Sequence, residues 1–416
     1  MSFALPDALF FTGIDWAAET HAVCVMNARG NIAAEFTIEH SADGIATLIR
    51  RLARHGMAGD MPVAIERPDG RLADLLLEAG HPVVPVKPNA IKTWRDGEVL
   101  SGAKSDARDA AVIAEYLRLR AHKLKAAAPY SDQTKALRTV VRTRGDLVEM
   151  RVAATGQLSA LLDAHWPGAR AIFADVESPV SLEFLTRYPT PAAAAHLGEK
   201  RMAAFCVKHG YCGRRTPAEL LTRLRSAPAG TTGEALTEAL RDAVLAAVSV
   251  LTALNASVKN LDRSTAAHLG EHPDSAIFTS LPRSGQINAA QVLAEWGDAR
   301  QAYEHPDSIA ALAGVTPVTR ESGKHRAVHF RWASGKRFRA AITTFADNSR
   351  HASPWAAKIY NDARASGKDH PHATRILARA WIRVIYRCWL DGVPYDPGKH
   401  GAAQAIADAT SVNIAA

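Results

Sequence analysis

Residues 9–17 read Leu9-Phe10-Phe11-Thr12-Gly13-Ile14-Asp15-Trp16-Ala17, an apolar run of strand-forming residues with a carboxylate near its end. An unpaired charge in a buried strand is costly, so Asp15 needs a reason to be there. The next stretch, HAVCVMNARGNIAAEFTIEH (residues 21–40), predicts two more strands folded about the turn Asn27–Asn31. DGIATLIRRLARHG then predicts an amphipathic helix ending at Gly56. MPVAIERP gives a short strand, RLADLLLEAG a helix with a glycine stop, and HPVVPVKP another strand. SDARDAAVIAEYLRLRAH gives a helix for which Ser105 can serve as N-cap. Three leading strands followed by helix, strand, helix, strand and helix define an α/β domain over residues 1–130, with its antiparallel strands grouped at one side.

Glu66 follows Val63-Ala64-Ile65 as Asp15 follows its own strand residues. Asp106 and Asp109 stand three apart at a helix start and so project from one face. Four carboxylates from two strand ends and one helix can converge at a sheet edge. Hard oxygen ligands of this kind suit Mg²⁺. Two such ions can activate a nucleophile and stabilise the leaving oxygen in phosphodiester cleavage. Taken singly, each carboxylate reads better as a turn or cap residue, and Asp106 and Asp109 as favourable charges at a helix N-terminus. Order and placement together carry the metal reading.

Residues 131–270 change character. Leu137, Val140, Val141, Leu147, Val148, Ala154, Leu158, Leu161 and Leu162 recur at helical spacing, as do Leu236, Leu240, Val244, Val248, Leu251, Leu254, Val258 and Leu261. Two long helices with a coiled-coil-like seam follow, packing on each other, on another protomer, or into a plain helical core. Between them, residues 166–233 are rich in Pro, Gly and Thr and read as a variable insert. Residues 271–400 open with IFTSLPRSGQINAAQVLAEWGD, a helix-turn-helix pattern, pass through a basic stretch at 313–339, and end in helices with an aromatic, basic face: Trp381, Arg383, Tyr386, Arg387 and Trp389. Residues 401–416 read as a tail.

The 416 residues carry a formal charge of +8, which favours a polyanionic partner such as nucleic acid or a membrane surface. No uninterrupted apolar run of 18 residues occurs, so no membrane span is expected. The start of the chain lacks signal-peptide features. The four cysteines are scattered, which fits a reduced, cytoplasmic setting. Cys206, His209 and Cys212 lack the spacing of a zinc ribbon and an evident fourth ligand.

TGIDWA, AIERP and KSDARDA, followed by a long helical region and a distal GVTP…ESG stretch, resemble the transposases of the insertion sequence 110 family. The likeness covers about the first 125 residues and about 310–390. It implies a ribonuclease H-like first domain similar to the Holliday-junction resolvase RuvC, with Asp15, Glu66, Asp106 and Asp109 as an Mg²⁺-binding set. It implies a mainly helical C-terminal transposase domain in which the serine of a Ser-Gly pair attacks DNA. That position is Ser322; Ser284 and Ser334 also precede glycine and compete for it. Lys324, His325, Arg326 and Arg331 could clamp the attacked phosphate, and Lys336, Arg337 and Arg339 are candidate phosphate contacts. LPRSG resembles the family's helix-hairpin-helix turn but has Arg283 where glycine is usual. The resemblance further implies donor and target DNA as substrates, a structured bridge RNA as guide, homodimers or tetramers with active sites shared between protomers, and residence at the bacterial nucleoid. A junction nuclease using water needs only the carboxylates, and a non-catalytic nucleic-acid-binding protein needs neither these nor Ser322.

Overall fold

The computed structural model describes residues 5, 7–66, 70–98, 105–323, 325–399 and 401. Contacts group the chain into two compact units that are not consecutive in sequence. The first comprises residues 1–131, 297–312 and 316–331; the second comprises 132–296, 313–315 and 332–416.

The first unit starts with strands β1 (Phe10–Trp16), β2 (Thr20–Asn27) and β3 (Ile32–Glu39). The β2–β3 turn is held by Asn27, whose side-chain oxygen accepts from the amides of Arg29 and Asn31, each at 3.0 Å. Helix α1 (Ala42–Leu52) is capped by the Ser41 hydroxyl and ends short of Gly56. Then come β4 (Val63–Ile65), α2 (Arg71–Glu78), β5 (Val83–Pro85), α3 (Pro88–Glu98) and α4 (Asp106–Arg120). Ser105 caps α4 by accepting from the Arg108 amide. The sheet order is β3-β2-β1-β4-β5. β1–β2 and β2–β3 are antiparallel, whereas β1–β4 and β4–β5 are parallel.

Side-chain alternation divides this sheet into two buried faces. Ile14, Val23, Val25, Val63 and Ile65 meet Ile45, Leu48 and Leu52 of α1 and Leu72 and Leu76 of α2. Phe11, Ala64 and Val84 meet Ile91 of α3 and Ile113 and Leu117 of α4, while Ala22, Cys24 and Met26 meet Ala110 and Ala114. The result is three layers, helices on both sides of a mixed sheet. Helix α3 was not foreseen; it starts at Pro88, where a missing N–H costs nothing.

In the second unit α5 (Asp132–His165) leads into α6 (Pro167–Ile172), α7 (Pro179–Arg187), α8 (Pro191–Ala194), α9 (Glu199–Lys208) and α10 (Pro217–Ser226). The segment 166–233 is thus largely helical. Pro167, Pro179, Pro191 and Pro217 sit in first turns, where a missing N–H costs nothing, and Ser178, Thr190 and Thr216 cap α7, α8 and α10. Phe173, Phe184, Phe205 and Trp166 build a shared core with Leu158 and Leu162 of α5. Helix α11 (Glu234–Glu271) packs its stripe Leu240, Val244, Val248 and Leu251 into that core. It also runs along α5, where Arg144 pairs with Asp262. The two long helices thus pack on each other. By length and composition alone α11 could cross a membrane; one stripe of it is buried in protein.

The chain continues through α12 (Ser275–Thr279) and α13 (Gln286–Trp296), then α14 (Pro306–Leu312) and the hairpin β6 (Val318–Ser322) and β7 (His325–His329) of the first unit. It ends in α15 (Lys336–Ser349), α16 (Pro354–Ala365) and α17 (His370–Asp391). The expected aromatic surface of α17 is core instead: Trp381 and Trp389 are fully buried and Tyr386 nearly so. Their indole N–H groups donate to Ser349 Oγ at 2.8 Å and to Asp274 Oδ2 at 3.1 Å. Burial of large aromatics outweighs exposure once these donors are satisfied.

Candidate active site

The parallel register Thr12↔Val63, Gly13↔Ala64, Ile14↔Ile65 sets the geometry. The ladder ends there, with Asp15 the next residue of β1 and Glu66 the residue that follows β4. Alternation along β1 gives Asp15 the same face as Gly13. That face belongs to α4. Phe11 and Ala64 share a cluster with Ile113 and Leu117. A Cβ on Gly13 would run into the Ala110 carbonyl oxygen and the Ala114 amide nitrogen and lie 3.0 Å from Ala114 Cα. Moving from Phe11 to Gly13 along β1 thus moves from Leu117 back to Ala110 along α4. The next step, to Asp15, heads for the first turn of α4, which holds Asp106 and Asp109.

Asp109 is buried at 9% exposure, and Asp106 is exposed. Asp109 Oδ1 accepts from Arg95 Nη1 of α3 at 3.0 Å. Among the described residues, no three His, Cys, Asp or Glu side chains stand close enough to hold a metal ion. Within this corner Asp109 is engaged by the guanidinium of Arg95, and Asp106 is exposed. The donor chemistry, all carboxylate oxygen, still fits a hard divalent cation.

Ser322 closes β6, exposed, beside Gly323 at φ 55°. The first unit includes its hairpin as well as the carboxylate corner. Cross-strand partners are Ser322↔His325, Glu321↔Arg326 and Val318↔His329. Of the cations anticipated around it, Lys324 lies outside the described residues. Arg326 is exposed on β7, and Arg331 Nε donates to the Thr316 carbonyl at 3.0 Å, tying the hairpin base. In the second unit Lys336 is exposed, Arg337 pairs with Asp146 at 2.6 Å, and Arg339 donates to Ser334 Oγ. Burial lowers the Arg339 pKa, with Arg375 adding to the effect. Ser334 is thus already engaged. The Ser284 hydroxyl is shielded from solvent, in the turn where Arg283 takes φ 55°. Among the described residues Arg283 alone has positive φ without being glycine, so the turn keeps a glycine-like backbone at the departing position.

The sequence profile of the DEDD transposases of IS110 type matches residues 12–167, and that of the IS116/IS110/IS902 transposase family matches residues 275–361. The mini-circle protein of IS117 from Streptomyces coelicolor, named as a transposase, is 30% identical over 385 residues, covering 91% of this chain and 93% of that one. The chain belongs to the IS110 family of transposases. The 42 kDa protein of insertion element IS900 from Mycobacterium paratuberculosis is 27% identical over 405 residues, covering 94% of the transposase and 98% of the relative. The 44.8 kDa protein of IS116 from Streptomyces clavuligerus is 26% identical over 390 residues, or 93% and 96%.

Two residues of the transposase's corner escaped the sequence reading. Arg95 carried no signal, because its helix was not foreseen. Gly13 did carry one: a glycine two residues before a strand-end carboxylate marks close backbone approach. Here the approaching backbone is α4.

Proposed function

We propose that this transposase cuts and rejoins the DNA of an insertion element by transesterification on a ribonuclease H-like first domain. The observation that supports the reading is the parallel β1–β4 pairing, which ends at Ile14↔Ile65 just before Asp15 and Glu66, together with a helix packed on β1 that begins with Asp106 and Asp109. Those four side chains would hold Mg²⁺. The ion, when bound, supplies charge stabilisation at the attacked phosphate and the leaving oxygen. Arg95 beside Asp109 adds a cation to the same corner, where it can orient a phosphate.

Ser322 is the proposed nucleophile. Its exposure and its place beside a permissive glycine turn support it, whereas Ser334 is occupied by Arg339 and Ser284 is shielded. A covalent serine–DNA linkage preserves the energy of the cut bond for rejoining, which hydrolysis does not. Arg326 and Lys336 are exposed cations that can take DNA phosphates. A structured RNA of the element is the proposed guide, and a dimer or tetramer the working form, on family likeness and the formal charge of +8.

The test is recombination between plasmids carrying the element junction and a target. Asp15→Asn and Glu66→Gln are expected to abolish product with unchanged thermal unfolding. Full activity in excess chelator would overturn the metal reading. In the same preparations the element's RNA should bind better than random RNA of equal length at physiological salt, since phosphate contacts alone do not discriminate.

A further inference from the structure

The hairpin that holds Ser322 places one more side chain beside it. β6 and β7 are joined by only two residues, Gly323 and Lys324, so Ser322 and His325 form the terminal cross-strand pair. Side chains of directly opposed residues leave the same face with Cβ atoms roughly 4.5–5.5 Å apart. That separation is within the reach of an imidazole nitrogen to a hydroxyl. The register also fixes what else faces it: Arg320, Ala327, His329 and Val318 share this face, and Thr319, Glu321, Arg326 and Val328 take the other. Ser322, Arg320, His325 and His329 are all exposed, and among the described residues no other helix or strand packs broadly on the hairpin.

Resting on the reading of Ser322 as nucleophile, we propose that His325 is the general base that takes its proton. A serine hydroxyl is a weak nucleophile at neutral pH and needs a base within hydrogen-bond reach. In the step, the Ser322 O–H bond breaks and its proton passes to the His325 imidazole. The Oγ–phosphorus bond forms. The bond from phosphorus to the leaving deoxyribose oxygen breaks, and that oxygen keeps the electron pair and takes a proton from water. Rejoining runs the same transfers in reverse, with the imidazolium returning its proton to Ser322 Oγ. The register of the hairpin pairs both groups, so base and nucleophile stay together wherever the hairpin docks. Arg320 on the same face can meet the phosphate while Glu321 and Arg326 point away from the pair.

The experiment follows formation of the covalent protein–DNA adduct against pH. The probe is a duplex carrying the element's end and flank, and the protein is purified from cells that carry the element. In wild type the rate should rise with pH, as it does when a general base must be unprotonated to act. His325→Gln should slow it on the order of 10²-fold or more and remove that rise. Added imidazole should restore part of the rate to His325→Gln and none to Ser322→Ala. His325→Arg keeps a cation but cannot accept a proton, and should be as slow as His325→Gln. A wild-type rate and profile in His325→Gln, or recovery in His325→Arg, would overturn the base assignment while leaving Ser322 standing. A wild-type protein that forms no adduct at Ser322 would overturn both.

Discussion

Gly13→Ala is the smallest change that should dismantle the corner. The added methyl would sit well inside van der Waals distance of the Ala110 carbonyl and the Ala114 amide, and 3.0 Å from Ala114 Cα. These are backbone atoms of a 15-residue helix, so no rotamer change relieves them. Ordinary carbon contacts need about 3.5 Å or more, so α4 must retreat by the better part of an ångström. Overpacking of this kind costs about 1–3 kcal/mol, and the upper end applies where the obstacle is main chain. The retreat would also draw Asp106 and Asp109 away from Asp15 and Glu66. Gly145, inside α5, is the internal control: nothing lies within 4 Å of a Cβ placed there. Gly145→Ala should stabilise by about 0.5–1 kcal/mol through helix propensity. Urea unfolding of both variants reads the contrast, with far-UV dichroism for fold and DNA cleavage for the site. If Gly13→Ala unfolds within about 1 kcal/mol of wild type and cuts DNA normally, the close seating of α4 on β1 is wrong.

Other outcomes follow from the same contacts. Arg95→Gln should raise the affinity for Mg²⁺ by calorimetry, because the guanidinium on Asp109 competes with a cation; weaker binding would show that Arg95 supports the site instead. Arg142→Ala should destabilise by about 1–3 kcal/mol, since its bidentate bonds to the buried Glu295 at 2.8 and 2.9 Å would leave that carboxylate unpaired; Arg142→Ala with Glu295→Leu should recover most of the loss in a double-mutant cycle. Arg283→Gly should stabilise by about 1 kcal/mol by relieving a left-handed backbone, and a loss of stability would mean the arginine side chain contributes to the turn. Burial holds the His81 pKa below its ordinary 6.5, against the opposing carbonyls of Met61 and Ala58. Its neutral form is therefore favoured on folding. Stability from this site should be complete above about pH 6.5 and fall as pH drops towards the lowered value, and His81→Asn should flatten that part of the profile.

The sheet was legible because its signals are local. Strand runs ending in Asp15 and Glu66, the Asn27–Asn31 turn and the Ser105 cap each need only neighbouring residues. The helices of 166–233 were not legible, because proline signals a loop by composition and a helix start by position, and only the caps Ser178, Thr190 and Thr216 separate the two. Trp381 and Trp389 looked like a surface because arginines alternate with them; which side of α17 is buried is decided by Phe345, Trp296 and Trp355 from distant segments. At the site, residue types were readable and pairings were not. Nothing near Asp109 in sequence announces Arg95, and the pairing of Ser322 with His325 depends on a two-residue turn that fixes register.

The mechanism is decided by which atom of the protein becomes joined to DNA. Transposase incubated with a labelled duplex spanning the element's end, in Mg²⁺, can be denatured, digested with protease and its DNA-linked peptide sequenced by mass spectrometry. The account predicts one linkage, a phosphodiester on Ser322, absent in Ser322→Ala and in Asp15→Asn. Cleaved DNA with no protein attached, or a linkage on Ser284 or Ser334, would contradict it.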